Sequence, residues 1–87
     1  MNLPQPKSRP KFAHWRYERN LSLRATADLL ERVAGFRICS YEQVRAICRP
    51  IDDAGRAEPS DELAAAIATL TGGEVGEGDW PRLAQAA

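Results

Sequence analysis

Apolar residues along this 87-residue chain recur three and four positions apart in short runs, and each run is bounded by residues that start or stop a helix. Behind Pro10, a residue suited to a first helical turn, Phe12, Trp15 and the stem of Arg19 share one face, and Asn20 tolerates the left-handed conformation that closes a helix. A first helix is predicted over roughly 11–19. Ser22 offers a side-chain oxygen to the free amides of a second helix, whose stripe is Ala25, Leu29 and Val33 with Leu30 beside them and whose end is Gly35. "SYEQ" has the spacing of a capping box, Ser40 bonding the Gln43 amide and Gln43 reaching back to the Ser40 amide. It opens a third helix at about Ser40 that runs to Arg49, ahead of Pro50, and buries Val44, Ile47 and Cys48. Ser60 caps a fourth helix with Asp61 and Glu62 in its positive first turn, Leu63, Ile67 and Leu70 on its core face, and Gly72 and Gly73 as its stop. The fold class expected is all-α, a compact bundle of four to five helices.

Between these runs the pattern changes. "MNLPQPKSRP" has three prolines and little to bury, so residues 1–10 are expected to be an extended, flexible basic arm. "PIDDAGRAEP" is polar and contains Gly55, and is expected to be exposed and mobile. In the tail, Trp80 is expected to anchor a short last helix to Gln85, with Val75 as an extended contact. The organisation expected is an arm (1–10), a helical domain (11–73) and a tail (74–87) that is a candidate dimerisation segment. A chain this small buries only about 60% of its unfolded surface, which leaves room for one compact core. No stretch approaches the roughly 20 apolar residues of a membrane span, and no leader pattern opens the chain, so a soluble, cytoplasmic protein with no membrane partner is expected.

The formal charge of zero conceals an asymmetry: residues 1–50 carry ten Lys/Arg against four acids, and residues 51–87 carry two Arg against eight acids. Two readings follow. A basic half can hold a polyanion while the acidic half faces solvent or another protein, or the halves neutralise each other.

Catalytic chemistry finds little footing. Cys39 and Cys48 are nine residues apart without a CxxC pair, His14 is the sole histidine, and no usual zinc spacing is present, so no metal or cofactor is expected and the cysteines read as reduced core thiols. "TGGEVGEG" lacks the GK[ST] ending of a P-loop. No enzyme is expected.

"WRYERNLSLRATADLL" resembles the opening of the lambda-repressor and Cro-like helix-turn-helix family, with Trp15, Arg16, Arg19, Asn20, Leu21, Ser22 and Ala27 filling its pattern in order. "CSYEQVRAI" is similar to that family's second half through Cys39, Ser40, Val44 and Ile47, and "GRAEPSDELAAAIATLTGG" resembles the proline-led helix of small Cro-like regulators. The family spacing puts its turn glycine where Glu31 stands and its helix-opening serine where Val33 stands, whereas the matching residues are Gly35 and Ser40, seven positions further for the serine. Four of those residues lengthen the second helix by about one turn, or ~6 Å, and three lengthen the connector.

The resemblance implies a helix-turn-helix inside the bundle and a sequence-specific transcriptional regulator, a repressor in the Cro-like manner, that binds double-stranded DNA with its third helix in the major groove. It implies base contacts from Tyr41, Glu42, Gln43 and Arg45, since Gln pairs bidentately with adenine and Arg with guanine. Gln43 has the capping box as its other use, Glu42 the helix dipole, and Tyr41 a packing position over Phe36. Phosphate contacts are expected from Lys7, Arg9 and Lys11 on the arm, from Ser22, Arg24 and Ser40 at helix starts, and from Arg37 and Arg49, which bracket the third helix and read equally as solvated charges. One small reader contacts few bases, so a homodimer on a two-fold site is expected, with the acidic half as the candidate contact. The alternative is an antitoxin-like or adaptor protein that binds a protein partner through its acidic half.

Overall fold

Each helix of this chain is started or stopped by a residue that satisfies its free backbone groups. The computed structural model describes residues 9–51 and 53–80, which form α1 (Lys11–Glu18), α2 (Leu23–Ala34), α3 (Tyr41–Ile47), α4 (Asp61–Leu70) and a single 3-10 turn, Glu77–Asp79. The described chain is all-α.

Ser22, Ser40 and Ser60 each accept an N-terminal amide, from Ala25, Gln43 and Leu63 respectively, at 3.0, 3.3 and 3.1 Å. The capping box forms in full, because the Ser40 amide also donates to Gln43 Oε1 at 2.9 Å. α1 closes at Asn20, whose φ of 53° lets its amide reach the Tyr17 carbonyl while the Leu21 amide reaches that of Arg16, both at 3.1 Å. α2 closes at Gly35, with φ 86° and an amide bond of 2.8 Å to the Glu31 carbonyl. Past α4 the left-handed Gly72 and Gly73 reverse the chain, and the Gly73 amide closes on the Ala68 carbonyl at 2.8 Å.

That reversal brings the acidic end back onto α1. α2 packs on α3 and α4, and α4 carries the 3-10 turn. One core joins them: Phe12 and Trp15 from α1, Ala27 and Leu30 from α2, Val44 and Ile47 from α3, Leu63 and Ile67 from α4, then Val75 and Trp80. Phe12 stacks on Trp15 with ring centres 5.7 Å apart and meets Trp80 edge-on at 6.0 Å. The Thr71 hydroxyl accepts the Val75 amide at 3.1 Å, which ties the returning segment down. Residues 74–80 are thus continuous with the core.

Several expectations are corrected. The buried positions of α2 are Thr26, Ala27 and Leu30, while Ala25 and Leu29 are half-buried and Val33 is exposed. A repeat of four drifts about 40° per step against a helix of 3.6 residues per turn, which carries Val33 off the core face. Thr26 fits inside because its hydroxyl donates to the Ser22 carbonyl at 2.7 Å. α3 ends at Ile47 with Cys48 as its cap, two residues short of Arg49, since the residue before a proline avoids helical geometry. The connector after α3 is exposed only at its described centre, Ala54 and Gly55, whereas Arg56 is buried and donates from Nε to the Ile51 carbonyl at 3.3 Å, and the Ala57 amide donates to the Ala46 carbonyl at 3.1 Å. Trp80, ahead of Pro81, is extended, and the rest of the expected last helix lies outside the described residues. The last two residues of the expected arm are held in the fold instead: Pro10 is buried and Arg9 is fixed by a bond from Nη1 to the Cys48 carbonyl at 2.9 Å. Lys7 lies outside the described residues.

Candidate nucleic-acid interface

α3 is short and two-faced. Val44 and Ile47, followed by the Cys48 cap, face the core, while Tyr41, Glu42, Gln43 and Arg45 are all exposed. Gln43 Oε1 is engaged by the Ser40 amide, so a bidentate contact to adenine requires that cap bond to open. Arg45 forms no ion pair among the described residues.

The basic residues divide by their partners. Lys11 meets Asp79 at 3.6 Å and Arg19 meets Glu74 at 3.2 Å, so part of the basic half is neutralised by the acidic half. Arg37 reaches Glu31 at 2.7 Å and Asp28 at 3.0 Å, and Arg49 reaches Asp53 at 3.5 Å. These pairs are partly or largely exposed and worth about 0–1 kcal/mol each, so a phosphate can compete for the same cations. Arg9, Arg16, Arg24 and Arg45 meet no carboxylate within ion-pair distance among the described residues.

Two clefts border the start of α2 and α3. The first, of about 370 Å³, is lined by Arg24, Ala27, Asp28, Arg37, Ser40 and Tyr41, and there the Arg24 guanidinium lies 5.0 Å from the Tyr41 ring centre. The second, of about 350 Å³, gathers Arg9, Arg16, Arg45 and Arg49 against Asp53. Ser22 and Ser40 are exposed, and each oxygen already accepts a backbone amide while its hydroxyl proton remains available to an acceptor.

Sequence reasoning passed over Arg16 as a binding residue. Its signal was present: Phe12, Ala13 and Arg16 fall on one side of α1, so the apolar face carries a charge. Tyr41 does not cover Phe36 closely, since Phe36 remains 56% exposed. The exposed large apolar residues, Tyr17, Val33, Phe36 and Tyr41, all belong to the basic half among the described residues.

Cys39 and Cys48 are free and buried. Burial pushes both thiols above their ordinary pKa, against the opposing fields of Arg37 at Cys39 and of Arg16 and Arg9 at Cys48. Among the described residues no cluster of three His, Cys, Asp or Glu side chains can hold a metal ion, and no helix is long and apolar enough to cross a membrane.

Comparison with protein-family models, curated proteins and solved structures finds no match for this chain. Its functional reading therefore rests on its own geometry.

Proposed function

We propose that this protein is a sequence-specific double-stranded DNA-binding regulator that inserts α3 into the major groove. The observation that carries the reading is the outward face of α3, where Tyr41, Glu42 and Arg45, which forms no ion pair among the described residues, are exposed on a helix whose other face is locked in the core. A rigid helix with one free polar face, flanked by arginine-bearing clefts, suits a groove whose base edges are read between two phosphate walls. Arg45 is the guanine reader, Arg24 and Ser22 contact backbone phosphate beside α2, and Ser40 with Arg37 does so beside the start of α3. Lys7, Arg9, Lys11 and Arg49 add phosphate contacts, and Gln43 reads a base only where its cap bond opens. Two copies bind a two-fold site, because one reader of this size covers few base pairs.

Selection from a random duplex pool, followed by anisotropy titrations of the chosen and a random duplex at several salt concentrations, tests this. The expected result is tighter binding to the selected duplex and a log–log salt slope that reports several displaced counterions. Absence of duplex binding at low salt, together with a stoichiometric protein complex indifferent to DNA, replaces this reading with a protein-partner role for the acidic half.

A further inference from the structure

A buried arginine without a carboxylate partner is costly, because desolvation of its charge is offset only by hydrogen bonds and a counter-ion. Arg16 is such a residue. It is 8% exposed, forms no ion pair among the described residues, and satisfies Nη1 on the Leu21 carbonyl at 2.8 Å while its buried Nε–H has no acceptor. Arg9 repeats the arrangement beside it, with Nη1 on the Cys48 carbonyl at 2.9 Å and Nε–H buried and unpartnered. Both line the cleft of about 350 Å³ that also receives Arg45 and Arg49 from the end of α3, with Asp53 as the one described carboxylate on its wall.

We propose that this cleft is an anion site that takes a phosphoryl group, carried either by the DNA backbone or by a free phosphate ester. Four arginines from three parts of the chain line it, and planar guanidinium forks match phosphate oxygens in bidentate fashion. Arg16 and Arg9 each spend one Nη1 bond on a backbone carbonyl and meet no carboxylate among the described residues, and an anion in the cleft supplies the missing counter-charge. The volume lies near the lower end of the roughly 300–1,000 Å³ common to small-ligand sites, which suits a compact anion. Tyr17 lines the same cleft, its ring centre 4.8 Å from the Arg16 guanidinium carbon, and holds that fork in position. Arg49 reaches Asp53 at 3.5 Å with both side chains partly exposed, so it can exchange that carboxylate for phosphate. The site does not depend on α3 reading bases.

The test follows the arginine Nε–Hε signals of the full chain by NMR at constant ionic strength. One arm adds inorganic phosphate in exchange for chloride, and the other adds a short random duplex. Saturable shifts of Arg16 and Arg9 are expected, and Arg49→Ala, a change at a partly exposed position that leaves the buried residues in place, should weaken binding roughly tenfold, the worth of one charge-assisted hydrogen bond. Response to phosphate assigns the site to free esters, response to duplex alone assigns it to the backbone, and either sustains the proposal. Shifts no larger than those produced by chloride in both arms overturn it and leave Arg16 as a clamp on the Leu21 carbonyl. Duplex binding that moves only the exposed α3 face and Arg24 overturns the cleft and leaves the DNA reading intact, whereas phosphate binding without duplex binding does the reverse.

Discussion

Two sets of basic residues from one short stretch of chain have opposite surroundings. Lys11 and Arg19, at the two ends of α1, each meet an acid of the returning segment, Asp79 and Glu74. Arg9 and Arg16, from the same stretch, meet none among the described residues and line a cleft with Arg45 and Arg49. The Arg19 guanidinium also packs 4.2 Å from the Trp15 ring centre, so the paired flank is built as structure. A formal charge of zero therefore coexists with a cationic flank, because acids delivered through Gly72 and Gly73 reach one side of α1 only. Charge totals say little about fields; the placement of the returning segment decides which cations are left for a ligand.

The largest effect should come from undoing that placement. Trp80 is 8% exposed and meets Phe12, so Trp80→Ala should destabilise the domain by about 3–5 kcal/mol, a large share of the stability of a domain this small, as read by urea unfolding. A loss under about 1 kcal/mol would show that the acid-bearing segment is not held by the core. On the ligand side, Arg45→Ala should cost about 1–3 kcal/mol on the selected duplex and much less on a random one, while Lys11→Ala, which removes a phosphate contact that must first leave Asp79, should weaken both duplexes slightly and in similar proportion. Equal losses on both duplexes for Arg45→Ala would remove base reading from α3. Between the two flanks, Gly35→Val tests the longer α2. The φ of 86° is strained for a branched residue although an added Cβ meets open space, so a loss of roughly 1 kcal/mol or more in thermal unfolding is expected, with DNA affinity falling only through the fold. A neutral result would place the end of α2 elsewhere. The smallest effect belongs to the paired flank itself: a double-mutant cycle on Lys11 and Asp79 should return about 0.2–1 kcal/mol that fades with added salt. Coupling well above that range would make this exposed pair a structural requirement.

How far the chain was legible depended on range. Helix boundaries depend on contacts three to five residues apart, so the serine caps at Ser22, Ser40 and Ser60, the reciprocal bonds of Ser40 and Gln43, and the left-handed stops at Asn20, Gly35 and Gly72 were readable as local chemistry. The core face of α3 was readable for the same reason, since Val44, Ile47 and Cys48 fall together at helical spacing. The face of α2 was misjudged because hydropathy ranks Val33 above Thr26, whereas packing ranks by position once the Ser22 carbonyl has accepted the threonine hydroxyl. The fixing of Arg9 was hidden because it depends on the Cys48 carbonyl at the end of α3, which the local pattern does not place in space, and the burial of Arg56 because it depends on how the connector folds back to the Ile51 carbonyl.

The candidate site divides along the same line. That Tyr41, Glu42 and Arg45 share an outward face follows from helical period alone. That Lys11 and Arg19 meet an acid of residues 74–80 while Arg9 and Arg16 face a cleft follows from where that segment lands against α1, across more than fifty positions of sequence in the Arg19 to Glu74 pair. Sequence by itself determined where the helices begin, where they end and which local faces are apolar, because those are decided by hydrogen bonds and periods within one or two turns. Only the tertiary structure decided which charges are neutralised, because a charge takes its partner from whatever the fold brings within about 4 Å, and that neighbour is set by the packing of the whole chain.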